Sequence, residues 1–159
     1  MTKFTKNMVR ASLALLAVTV IGATSAEAQL TFEQASSAMD AAEAEARANS
    51  WNLTILITDA DGVPMYVRRM DGASERTWDI VQMKCHTVLT AGIPSGDYGR
   101  ALEAGTMDSI PGGIHYDGGL PIRFGGEMVG AMAASGARGV EDAQVVLAGL
   151  AAIGADAQR

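Results

Sequence analysis

The sequence predicts an α+β fold, an antiparallel five-stranded sheet flanked by helices in the order α-β-β-α-β-β-β-α. Three observations lead there. A β-branched run at 53–58 and a second extended run at 63–70 are joined by Asp59-Ala60-Asp61-Gly62, whose residue types favour a tight turn. Paired glycines at 112–113, 118–119 and 125–126 punctuate three short apolar runs, as turns with positive φ require. Stretches with apolar residues at helical spacing precede, separate and follow these β segments. Strands joined by such short turns pair antiparallel, and the helices cover the sheet's faces.

Residues 1–28 have the layout of a signal peptide: Lys3, Lys6 and Arg10, an apolar run over 11–23, then Ala26-Glu27-Ala28 before the expected cut. That run is shorter than the roughly 20 residues a membrane-spanning helix needs, so no membrane insertion is expected after cleavage. Residues 29–159 form the expected working protein, one domain of ordinary size in the periplasm or the medium.

Thr31-Phe32-Glu33-Gln34 reads as a capping box, and Phe32, Ala35, Met39, Ala42 and Ala46 continue it as a helix ending near Asn49. The hairpin follows, with Pro64 confined to a strand start or an edge because it lacks an amide hydrogen. Ser74 or Thr77 is expected to cap a second helix with the stripe Trp78, Val81, Cys85, Val88 and Leu89, stopped by Gly92. A short helix within 95–105 competes with Pro94, Gly96 and Gly99, which favour a loop. Strands are expected at 114–116, 120–124 and 128–135. A last helix over 140–153 turns Ala143, Leu147, Leu150 and Ala151 inward, with Glu141 and Asp142 at its positive end.

Without the first 28 residues the chain keeps 9 lysines and arginines against 17 acidic residues. Such a surface repels phosphate backbones and anionic headgroups, which speaks against nucleic acid and membrane surfaces as partners. Cys85 is the one cysteine, excluding an internal disulfide and a cysteine-based zinc cluster; a small buried core residue is its expected role. The glycines form no dinucleotide fingerprint, and no nucleophile elbow or Walker sequence occurs.

Six segments together resemble one family. They are Thr58-Asp59-Ala60-Asp61-Gly62, Arg68-Arg69-Met70-Asp71-Gly72-Ala73, Lys84-Cys85-His86-Thr87, Ile110-Pro111-Gly112-Gly113, Gly118-Gly119-Leu120-Pro121-Ile122 and Gly130-Ala131-Met132-Ala133-Ala134-Ser135-Gly136. In this order they are similar to the GlcG/HbpS family of haem-binding proteins, which includes the C-terminal domain of PduO-type adenosyltransferases. The resemblance runs from Leu30 to Gly154. It implies a profilin-like (GlcG-like) α+β fold with a five-stranded sheet, a homo-oligomer of four or eight copies, and haem or iron as ligand. Haem degradation is proposed for some members.

His86 and His115 are the only histidines, and neutral imidazole is the usual axial ligand of haem iron. Both are candidate metal ligands. By resemblance, Thr87 inherits a link to haem coordination, best read as a hydrogen bond to the ligand or a propionate, and Lys84 is a candidate propionate partner. Asp59 and Asp61 are read as turn residues because the glutamate that would complete a calcium loop is missing. The first functional reading is an exported haem- or iron-binding protein for scavenging, storage or sensing, without established catalytic machinery. The alternative is an accessory protein near a periplasmic oxidation pathway, clamping a small organic acid or metabolite with Arg68, Arg69 or Arg123. Haem breakdown as an enzymatic activity would need an outside reductant.

Overall fold

The structure, a computed structural model, describes residues 29–157; the expected signal peptide lies outside the described residues. Helix α1 (Phe32–Ala48) starts at the capping box: Thr31 Oγ1 accepts the Gln34 amide hydrogen and Gln34 Oε1 accepts that of Thr31. Strands β1 (Thr54–Asp59) and β2 (Pro64–Arg69) form the hairpin, with Pro64 opening the edge strand as its missing amide requires. Asp59 Oδ1 accepts the amides of Asp61 and Val63, so this carboxylate builds the turn, as expected.

Helix α2 (Arg76–Ala91) buries Val81, Cys85 and Val88 and ends at Gly92 with φ 73°. Neither Ser74 nor Thr77 caps it through its side chain. The Thr77 hydroxyl instead lies buried, bonded to Ser74 O and to Thr54 Oγ1. Helix α3 (Ser95–Glu103) forms despite its glycines, because Gly96 and Gly99 let Asp117 and His115 approach closer than a Cβ permits.

Strands β3 (Gly119–Phe124) and β4 (Glu127–Ser135) close a four-stranded antiparallel sheet in the order β2-β1-β4-β3. The expected strand at 114–116 is absent, and the order is α-β-β-α-α-β-β-α instead of the five-stranded arrangement. The backbone bonds of Ile114 and Tyr116 go to side chains of the neighbouring helices: Thr87 Oγ1 takes the Ile114 amide and donates to its carbonyl, and Ser95 Oγ donates to Tyr116 O. Helix α4 (Gly139–Ala152) follows. Val145 and Val146 face inward, while Leu147, expected inside, is 46% exposed.

The sheet separates two cores. Ile55, Ile57, Leu120, Ile122 and Met132 pack under α1 and α4, and Leu56, Ala131 and Ala133 pack under α2. Alternation along each strand produces this division, since neighbouring residues point to opposite faces. Arg68 pairs with Asp40 and Glu43 of α1, on the α1 side.

Candidate functional site

Helix α2 delivers all three of its candidate residues, and the helical turn sends them to different places. Lys84 is 1% exposed: its ammonium donates to Ala134 O at 2.7 Å and to Asp142 Oδ2 at 2.9 Å. Asp142 Oδ1 accepts the Ala137 amide at 3.0 Å, so the carboxylate is held at both oxygens. Burial lowers the pKa of Lys84 and raises that of Asp142, each against the pull of its partner. Lys84 is thus neither on a solvated face nor at the surface where a propionate would meet it. A Cβ at Gly118 would lie 2.7 Å from Lys84 Nζ and 2.6 Å from Asp142 Cβ, and glycine alone leaves the pair that room.

Thr87 is also fully buried. Its hydroxyl accepts the Ile114 amide and shares its one proton between Met83 O of its own helix and Ile114 O, so the two contacts with Ile114 dock the 110–118 segment onto α2. The group that resemblance linked to a ligand is engaged within the protein.

His86 differs from both. It is exposed and lines a groove of about 440 Å³ between α2 and the β1–β2 hairpin. The floor is Leu56, Thr58 and Cys85; Gln82, Leu89 and Thr90 stand beside His86 on the helix, opposite Asp61, Gly62 and Pro64. No lysine or arginine lines it. Burial pushes the Cys85 thiol up to about 12, so it sits there as a neutral, weakly polar group. Thr58 is 2% exposed, and its hydroxyl is the single buried side-chain polar atom without a hydrogen-bond partner among the described residues. A desolvated hydroxyl left unpaired costs about 1–3 kcal/mol, and this one borders the groove.

The imidazole of His86 is held from outside the groove. Its Nε2 lies 3.0 Å from Pro111 O. Pro111 sits between two anchors, the Thr87–Ile114 bonds and the Tyr98 hydroxyl, which accepts the Ile110 amide at 2.8 Å. Gly112, at φ 73°, supplies the left-handed turn between them.

His115 is not brought to this groove. It is exposed beside Arg100, Glu103 and Tyr116 in a shallower depression of about 330 Å³, with its ring edge-on to Tyr116 at 4.9 Å. A third recess, about 480 Å³, lies between Gly92, Arg123 and Asp156 and has no histidine. The three arginines named as anion clamps are engaged: Arg68 with Asp40 and Glu43, Arg69 with Ala73 O, Arg123 with Gly92 O and Gly126 O.

Three features escaped the sequence. Asp142 carried only its helix-start signal, Thr58 read as an ordinary strand residue, and a carbonyl such as that of Pro111 leaves no mark in a sequence. For a buried lysine the one available sign was the small residues across from it, Gly118 and Gly119.

Known proteins resemble the chain throughout this architecture. No curated protein matches it. A complex of PduOC with haem superposes with a TM-score of 0.77 at 18% identity, covering 83% of this chain and 100% of that one. A double mutant of HbpS from Streptomyces reticuli gives 0.72 at 27% identity, covering 91% and 97%. The ORFY protein of Klebsiella pneumoniae gives 0.74 at 21% identity, covering 91% and 100%. A family described as haem degrading protein HbpS-like matches residues 30–151. That stretch holds the whole sheet, the groove and nearly all four helices, and the chain belongs to the HbpS-like family.

Proposed function

We propose that this chain is an exported haem-binding protein and that the groove between α2 and the β1–β2 hairpin seats the porphyrin, with His86 as the iron ligand. The observation that carries the reading is the coincidence, in one recess, of an exposed imidazole, an apolar floor and the unpartnered Thr58 hydroxyl. These residues fit the group. Imidazole suits haem iron, Leu56 and Leu89 give the macrocycle apolar contact, and Thr58 offers a hydrogen bond that the folded chain leaves unused. Bound haem would supply the redox and ligand-binding chemistry of its iron. The chain's part is to hold and orient it.

Family membership and the haem complex of PduOC support the same ligand. No cation lines the recess and Asp61 stands at its lip, so the lining offers no partner to a propionate, and haem held by these residues would have its carboxylates satisfied by solvent. Binding for scavenging, storage or sensing fits this arrangement, and free iron is a second cargo that the same imidazole accepts. Periplasmic or secreted placement rests on the signal-peptide layout of residues 1–28, and a tetramer or octamer on the family resemblance.

Haemin titrated into the purified protein tests the reading. A sharpened Soret band displaced from that of free haemin is expected, which His86→Ala moves back toward free haemin and His115→Ala leaves in place. An unchanged spectrum in His86→Ala would remove His86 from the assignment, and a spectrum identical to free haemin in the parent would remove haem.

A further inference from the structure

The two ring nitrogens of His86 are not equivalent toward haem. Nδ1 adjoins the Cγ–Cβ bond, so a plate as broad as a porphyrin bonded there would run into the residue's own Cβ and the turns of α2. Nε2, at the far end of the ring, is the nitrogen through which this side chain can reach haem iron. In the free protein that nitrogen is already engaged, 3.0 Å from Pro111 O. A carbonyl oxygen only accepts hydrogen bonds, so Nε2 carries a proton in this contact and has no lone pair to offer a metal. That conclusion holds whichever edge of the ring faces the recess.

We infer that the Pro111 carbonyl is a built-in competitor for His86: the free protein is latched, and haem uptake requires this hydrogen bond to open. The inference rests on the haem reading of the groove and adds to it the step that precedes binding. As the bond opens, the Nε2 proton passes to solvent and Nδ1 takes one up, so the neutral ring keeps one proton throughout. The two partners differ in freedom to move. The segment that bears the carbonyl is tied at Ile110 to the buried Tyr98 hydroxyl and at Ile114 to Thr87, with the Gly113 amide closing a turn onto Ile110 O between them. The His86 side chain is exposed, and exposed side chains change rotamer rapidly. The ring therefore swings away and the segment stays. A hydrogen bond of this kind biases an equilibrium by roughly 2- to 10-fold, and affinity falls by the fraction of the protein that is latched.

The chain has two histidines, so His115→Gln leaves one imidazole to observe. This variant is prepared with histidine labelled with nitrogen-15 at δ1 alone or at ε2 alone. Without haem, at a pH where the ring is neutral, the proton should reside on Nε2; an unprotonated Nε2 overturns the inference. Loaded with haemin and converted to the ferric cyanide complex, the ε2 sample should give the strongly hyperfine-shifted resonance of a directly bonded nitrogen and the δ1 sample only a small shift. The reverse pattern overturns the latch while leaving His86 as ligand, and a strong shift in neither sample overturns the haem reading of His86 as well. The strength of the latch is read from Tyr98→Phe, which keeps the packed ring but removes the acceptor of the Ile110 amide and so loosens the carbonyl. Haemin should bind this variant about 2- to 5-fold more tightly than the parent. Equal or weaker binding would show that the contact does not oppose uptake, and the latch would fall.

Discussion

The two faces of the sheet are built to different ends. On one, Ala35, Ala38, Ala42 and Ala46 let α1 lie close, and Gly149 brings α4 so near that a Cβ there would stand 2.7 Å from Ala38 O. This face is covered by two helices, and its central residues Ile55, Ile57, Ile122 and Met132 are fully buried. On the other, α2 packs over β1, β4 and β3, and α3 adds only a small contact with β3 beside it. Val67 of β2 is left 44% exposed, and a recess remains at the hairpin turn with an unpaired hydroxyl on its floor. The difference teaches where stability and function are placed. The α1–α4 side buries the larger apolar cluster, and the α2 side leaves open the recess in which the haem reading is placed.

Lys84 marks the border between the two regimes, and its removal is the severest way to break the comparison. Its ammonium links α2 to Ala134 of β4 and to Asp142 in the first turn of α4. Lys84→Met leaves the Asp142 carboxylate buried without its cation, which should cost about 3–5 kcal/mol in chemical denaturation. Lys84→Met combined with Asp142→Leu removes both charges and should recover most of that loss. A single variant as stable as the parent would show the pair to be dispensable.

Two positions along the same helix the effects should separate in the opposite sense. His86→Ala is expected to weaken haemin binding about 100-fold, the loss of roughly 2.7 kcal/mol of ligation, with unfolding changed by no more than about 0.5 kcal/mol because the side chain is exposed. Equal losses in binding and stability would show that the groove is part of the core.

Cys85 sharpens the comparison through pH. Its thiol is raised from 9.0 to about 12, chiefly by burial, so the folded state keeps a proton that the unfolded chain gives up. That contribution to stability is complete below pH 9 and is lost as pH rises toward 12. Unfolding free energy should therefore fall by about 1.4 kcal/mol by pH 10, where the unfolded thiol is mostly ionised and the folded one is not. Cys85→Ala should flatten that slope. A slope unchanged in the variant would assign the alkaline loss to other groups.

Much of the fold was legible because it follows from short-range rules. The capping box at Thr31, the Asp59–Gly62 turn and the Gly92 stop each form as residue type dictates, with the partners a few positions away. The strand at 114–116 failed for the converse reason. Its apolar residues suit an extended chain, but Thr87 and Ser95, 27 and 21 positions distant, hold its backbone groups in place of a neighbouring strand. The site divided along the same line. His86 was named by residue type, and the structure places it at the groove. Lys84 and Thr87 were named for the ligand, yet their polar atoms are satisfied by Asp142, Ala134 and Ile114, partners that only the folded chain brings near.

Thr58 gives the smallest expected effect and the one in which stability and binding must part company. A threonine hydroxyl bonded inside a protein stabilises it, and Thr→Val then destabilises. An unpaired one does the reverse, since valine has nearly the same shape and no polar atom to desolvate. Thr58→Val should therefore leave the protein without haem as stable as the parent or up to about 1 kcal/mol more stable. If the bound molecule supplies the missing partner, the same change should weaken haemin binding about 5-fold, near 1 kcal/mol, and Thr58→Ser, which keeps a hydroxyl, should restore most of it. A destabilised Thr58→Val protein would mean that the hydroxyl already has a partner in the free protein. Haemin binding as tight as the parent's would detach Thr58 from the ligand and leave the groove to His86 and its apolar floor.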